Sequence, residues 1–227
     1  MPMISKSEIK QIVDDTTTFI AVNIRQIATL CLPILLATSI MGFTLASSYE
    51  STPNAIFVPF VFNLLVYPLY TVAMIQLMSA KARHENPTNS QLLMIALRQW
   101  PPFFLLKIMT VFLIFIGSFL ILPGIWLWVR LSFAEFFLSI FNMSPKESIK
   151  KSMRSTQPYF WFLFLALLST YIPILLTNIL VEQWIISVTR SPIPIVLINT
   201  LWSFFGLFVL VLLFRIFMEI MNKDFSA

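Results

Sequence analysis

Charged side chains inside apolar sequence are the first place to look for chemistry. Arg130 and Glu135 both fall within the apolar run Pro123–Phe141. A charge at the centre of hydrocarbon costs at least about 2.5–3.5 kcal/mol, so neither is expected to face lipid alone. A spacing of five residues sets them about 140° apart on an ideal helix. Each then turns to a neighbouring helix, or the long arginine reaches round. Candidate partners are Asn63, Gln76, Asn178 and Asn199. Two roles fit: a polar pathway or headgroup cleft, or a charge pair used for helix packing. A second grouping follows Ser144-Pro145-Lys146-Glu147, which reads as a helix start with Ser as cap, Pro at the first position and Glu at the third. The helix places Lys146, Lys150 and Arg154 at i, i+4 and i+8, a basic stripe that Lys151 widens. Ile149 and Met153 lie on another face. Basic residues at a membrane surface attract anionic headgroups at about 1 kcal/mol each. The same residues also serve as a plain topology signal.

Catalytic constellations are missing from the sequence. His84 is the only histidine and stands between Arg83 and Glu85, with no second ligand nearby for a metal. The single cysteine excludes a disulfide framework and a cysteine-based zinc site. There is no Gly-rich phosphate loop or nucleophile elbow, and no base accompanies the many Ser and Thr residues of the apolar runs. The expectation is a protein that is not an enzyme and carries no cofactor. The net charge of +5 is accounted for by basic loops, so nucleic acid is not an expected partner.

The elements that must position these residues follow from composition. The chain has 227 residues, 58% apolar and 11% charged. An ordinary soluble domain is about 45–50% apolar and about 25% charged. This chain has too few charges to clothe a water-facing surface. A helix needs roughly 20 apolar residues to cross about 30 Å of hydrocarbon. Six segments qualify: Ile27–Leu45, Ala55–Met78, Pro102–Leu122, Pro123–Phe141, Tyr159–Val181 and Ile193–Met218. The runs lack the alternation of barrel strands. The third and fourth are joined at Leu122-Pro123-Gly124, which suits a tight hairpin or a broken, re-entrant element. Pro33, Pro59, Pro68 and Pro173 lie within spans, where they bend helices. No Gly-xxx-Gly packing motif is present. Lys107 and Arg215 near span ends read as snorkelling anchors, with Glu219 one turn beyond Arg215.

Orientation follows from Lys and Arg. Lys6, Lys10, Arg25, Lys81, Arg83, Arg98, Lys146, Lys150, Lys151, Arg154 and Lys223 fall on one side, and Arg190 on the other. The expected fold is therefore an all-α polytopic integral membrane protein: six transmembrane helices, N-in and C-in, with amphipathic cytoplasmic helices. Residues 1–26 are expected to form a cytoplasmic interfacial helix, 27–218 the six-helix membrane domain and 219–227 a cytoplasmic tail. Residues 1–26 precede a span-length apolar run, which reads as a span and not a signal peptide, although Leu45-Ala46-Ser47-Ser48 mimics a cleavage site. Ser5-Lys6-Ser7-Glu8 has capping-box spacing. Ile9, Ile12, Val13 and Ile20 then recur near helical spacing. That helix lies on the membrane or packs against the loops.

Several stretches carry a family likeness: Asp15-Thr16 with Phe19; Leu122-Pro123-Gly124-Ile125; Ser148-Ile149-Lys150-Lys151-Ser152-Met153-Arg154-Ser155-Thr156; Asn199-Thr200-Leu201; and Leu213-Phe214-Arg215. On these the chain resembles the YciC family of bacterial inner-membrane proteins. The Pro-Gly hairpin, basic helix and following aromatic run are also similar to the membrane domain of some glycerophosphodiester phosphodiesterases, whose catalytic domain is absent here. The resemblance implies a six-helix, multi-pass inner-membrane protein linked to envelope homeostasis. Glu135 departs from the family pattern, which has proline or an apolar residue there. The expected function is non-catalytic: binding of membrane lipids, anionic ones among them, or of a membrane protein partner. The alternative is a small transporter or channel with Arg130 and Glu135 in a polar pathway. No internal inverted repeat of the kind common in transporters stands out.

Overall fold

The computed structural model describes residues 6–49, 57–189 and 191–226. Arg190, the lone basic residue expected on the opposite side, lies outside them. So do Ser5 of the first capping box and the first two residues of the expected second span. The described residues form eight helices and no strand: α1 (Lys6–Ser48), α2 (Phe57–Ala82), α3 (Asn89–Ser118), α4 (Leu122–Arg130), α5 (Ala134–Phe141), α6 (Pro145–Ser155), α7 (Phe160–Val188) and α8 (Pro192–Ser226). Six stretches are long and apolar enough to cross a membrane, with α4 and α5 counting together as one. The fold is consistent with a multi-pass membrane protein.

Helix ends follow capping chemistry, where the sequence reading followed apolarity. The third helix begins at Asn89, well before Pro102, because Thr88 caps it. Thr88 Oγ1 accepts from the Gln91 N–H at 3.3 Å, and Gln91 Oε1 accepts from the Thr88 N–H at 2.9 Å. Pro101 and Pro102 lie inside the helix. At α6 the expected cap forms. Ser144 Oγ accepts from the Glu147 N–H, and Glu147 accepts from the Ser144 N–H at 3.1 Å.

The expected division at residue 26 is not a break in structure. Helix α1 runs unbroken from Lys6 to Ser48, and its first half packs along α8. Ile12 and Phe19 are buried there. The Lys223 ammonium donates to the Glu8 carboxylate at 2.7 Å. The Arg215 guanidinium stands 5.4 Å from the Phe19 ring, and Glu219 lies 3.8 Å from Lys223. A helix with that many partners continues through the apolar boundary because nothing in residues 20–30 breaks it.

The third and fourth spans form a tight hairpin. The α3 and α4 backbones touch at Gly117 and Gly124. A Cβ on Gly124 would come within 2.7 Å of Ser118 Oγ and 2.9 Å of the Ser118 backbone. The turn forces Ile121 to φ 52°, a left-handed value strained for a β-branched residue. The N–H groups of Phe119, Leu120, Ile121 and Leu122 all donate to carbonyls within the hairpin. The four side chains are all at least 71% exposed. An apolar tip with its backbone donors satisfied suits hydrocarbon.

Burial is concentrated at the end of the bundle that carries α5, α6 and the C-terminal part of α8. From Thr71 to Ala80 in α2 only Gln76 is not fully buried. An aromatic layer of Phe133, Phe136, Phe137, Phe214 and Phe217 closes this end.

Candidate functional site

The site grows from a broken helix. The expected fourth span, Pro123–Phe141, is not one helix: it stops at Arg130 and restarts at Ala134. Free backbone groups at such a break are costly in an apolar interior. Helix α6 supplies partners for them. Ser152 Oγ donates to the Arg130 carbonyl at 2.7 Å, Thr156 Oγ1 donates to the same oxygen at 3.2 Å, and the Phe133 N–H donates to Ser152 Oγ at 3.2 Å. Ser148, Ser152, Ser155 and Thr156 are buried. Lys146, Lys150, Lys151 and Arg154 are exposed on the same helix. The expected basic stripe thus lies outward, and its hydroxyl counterpart holds the break.

The break resets the helical phase between Arg130 and Glu135, so their separation on an ideal helix no longer applies. Glu135, in the first turn of α5, meets Lys107 of α3 and Tyr67 of α2. The Lys107 ammonium donates to Glu135 Oε1 at 2.8 Å, and Tyr67 Oη donates to Glu135 Oε2 at 2.9 Å. The ammonium also stands 3.8 Å from the centre of the Tyr67 ring, a cation–π contact. Both charges are largely buried, with side-chain exposures of 23% and 17%. By sequence alone Lys107 reads as a snorkelling anchor near a span end. Because α3 begins at Asn89, Lys107 instead lies mid-helix, and it is the counter-ion of Glu135.

None of the four amides expected beside the charges bonds to either one. Gln76 donates to the Ser139 carbonyl at 2.7 Å, and Asn63 donates to the Pro59 carbonyl at 3.0 Å. Asn178 and Asn199 line a separate chamber. Arg130 is 8% exposed with its guanidinium 5.0 Å from the Trp126 ring. Its Nε has no hydrogen-bond partner, and no carboxylate among the described residues pairs with it. The structure therefore does not bring Arg130 and Glu135 together.

Glu135, Lys107 and Tyr67 line a cavity of about 330 Å³ with Tyr70, Ser132 and Tyr171. A second chamber of about 700 Å³ lies between α1 and α2 on one side and α7 and α8 on the other. The two share Tyr70, Tyr171, Ser203 and Gly206 as common wall. The larger chamber mixes apolar walls with Asn63, Asn178, Glu182 and Asn199. Asn63, Tyr171 and Ser203 are exposed. Ser132 Oγ in the first chamber, and Asn178 Oδ1 and Trp202 Nε1 in the second, have no hydrogen-bond partner. Buried polar atoms without a partner cost about 1–3 kcal/mol each, so a polar or amphiphilic guest would be stabilised here. Beside α4 and α7 runs a separate, almost wholly apolar groove of about 500 Å³, lined by Trp126, Phe160, Trp161 and Phe164.

Among the described residues, no group of three His, Cys, Asp or Glu could hold a metal ion. The sequence reading missed Lys107 and Tyr67 as site residues. One signal was available, since a lysine inside an apolar run carries the same cost as Glu135. Compared with models of known families, with curated proteins and with solved structures, the chain matches none.

Proposed function

We propose that this chain is a non-catalytic, multi-pass protein of the bacterial inner membrane that holds an amphiphilic molecule, a membrane lipid, within its helix bundle. The carrying observation is the chamber between the α1–α2 and α7–α8 pairs, which shares the wall Tyr70, Tyr171, Ser203 and Gly206 with the cavity of the Lys107–Glu135–Tyr67 cluster. Its walls are apolar and polar together, as a lipid with a charged headgroup requires. The paired charges of the adjoining cavity offer both a cation and an anion. The eleven Lys and Arg residues at one end support an orientation with both termini in the cytoplasm. On that orientation α6 lies at the cytoplasmic surface, with Lys146, Lys150, Lys151 and Arg154 toward anionic headgroups. The likeness to the YciC family supports a place in envelope homeostasis. A membrane protein partner is the other class of ligand that this reading admits.

One observation favours a second reading. A cavity that reaches an intramembrane carboxylate is also what a small transporter would use. The aromatic layer around Phe217 closes the bundle below it, so transport would require that layer to open.

The test is to purify the protein in native lipid and weigh the intact assembly by mass spectrometry. The expected result is lipid at near-stoichiometric level, lost when Lys107 and Glu135 are both replaced by Leu. A protein partner without enriched lipid would replace lipid binding with a scaffold role. Ion or solute flux through reconstituted vesicles, abolished by the same double replacement, would establish the transporter reading.

A further inference from the structure

At the end opposite the chamber, α2, α3 and α5 enclose a polar cleft of about 470 Å³. Gln76, Ser79, Arg83, Arg98, Gln99 and Asn142 are among its walls. Part of it is preorganised. Gln99 Nε2 donates to Asn142 Oδ1 at 2.9 Å and to the Ser139 carbonyl at 3.1 Å, and Ser139 Oγ donates to Gln99 Oε1 at 3.0 Å. Asn142 holds its place by capping α5 in the left-handed region, at φ 51°. Arg83 donates to Ser79 Oγ at 2.7 Å, and its charge is balanced by Glu85 at 3.0 Å. Arg98 has no carboxylate partner among the described residues. Two guanidinium groups thus line one cleft, with one positive charge left over. A guanidinium fork matches the oxygens of a phosphate, and a single excess charge matches a phosphodiester monoanion.

A second observation gives the source of that phosphate. Met94, Leu97, Leu105, Ile108, Phe112 and Phe115 are exposed, from 40% to 68%. Their spacing, with Pro101 between, follows steps of three and four, so they form one stripe down α3. The stripe passes beside Arg98 and runs on to Phe115, near the end of the helix. An acyl chain lying on it would have its headgroup at the arginine cleft.

We infer that the Arg83–Arg98 cleft binds the phosphodiester headgroup of an anionic phospholipid whose chain lies along the α3 stripe. This site is distinct from the chamber at Lys107 and Glu135, and from the basic stripe of α6. The probe is phosphatidylglycerol titrated into the delipidated full chain in detergent, with bound lipid counted by native mass spectrometry. R98Q is expected to weaken binding about tenfold, the scale of a lost hydrogen bond to a charged group. R98K, which keeps the charge without the fork, is expected to fall between. Phosphatidylcholine should bind more weakly than phosphatidylglycerol. Arg98 is exposed and makes no bond that the fold needs, and an unchanged helical circular dichroism spectrum checks this. Equal binding by R98Q and the parent chain would overturn the inference. So would a tenfold loss from K146Q/K150Q/R154Q with none from R98Q. Displacement of the lipid by equimolar inorganic phosphate would make this a phosphate site and overturn the lipid assignment.

Discussion

The two ends of the bundle are built differently. In α2, no residue from Phe57 to Tyr67 is fully buried, yet from Thr71 to Ala80 all but Gln76 are. Phe217 is ringed by Phe133, Phe136, Phe137 and Phe141. By contrast, α7 buries only Leu163, Leu167 and Ile185 of its 29 residues. It packs on α8 and α4 alone among the stronger helix contacts. The dense end holds what lipid cannot tolerate: a helix break, its loose backbone groups and an arginine. The sparse end leaves room for a guest. The Lys107–Glu135 pair lines the cavity next to the open chamber, the two sharing Tyr70, Tyr171, Ser203 and Gly206.

The contrast is open to test by mutation, and the largest effect is expected in the aromatic layer. Phe217→Ala should destabilise by about 3–5 kcal/mol, as large cavities in packed cores do. Leu176→Ala on α7, at 54% exposure, should stay within about 0.5 kcal/mol. Denaturant titration in matched micelles measures both, and similar losses would erase the distinction.

The charge pair comes next. Glu135→Leu alone strands the Lys107 ammonium and should cost about 3–5 kcal/mol if the site is dry. The double replacement Lys107→Leu with Glu135→Leu should cost clearly less than the sum of the single ones. A double-mutant cycle reads that coupling. A small single-mutant cost would sharpen the comparison, placing the pair on the hydrated side.

Glycines offer a matched pair of smaller effects. Gly124→Ala should cost about 1–3 kcal/mol through overpacking against Ser118. A Cβ on Gly206 meets nothing within 4 Å, so Gly206→Ala should be neutral or stabilise by up to about 1 kcal/mol. Thermal melting of the two variants side by side gives the answer.

The smallest effect lies outside the six apolar stretches, at the α6 cap. The hydroxyl and backbone N–H of Ser144 hold the Glu147 carboxyl below its ordinary range. A carboxyl whose folded value is depressed contributes stability above its unfolded value. It loses that contribution as pH falls through the depressed one. The parent chain should therefore lose a small increment of stability on acidification that Glu147→Gln does not lose. Melting curves across the acid range compare them.

The helical character and the six apolar stretches were legible because they rest on local quantities, chain length and hydropathy. The α6 start was legible too, since a capping box is four consecutive residues. Partner choice was not. Glu135 found Lys107 and Tyr67 only because the chain breaks at residues 131–133, and that break depends on Ser152 and Thr156, about twenty residues further on. Asn63, Asn178 and Asn199 were plausible partners by type, yet the chamber separates them from the charge. That charges within apolar helices must be paired or shielded follows from the residues alone, because the cost of a bare charge in hydrocarbon does not depend on the fold. Which groups do the pairing, and which side of the protein stays open, depends on the folded arrangement, because helix phase and long-range packing set them together.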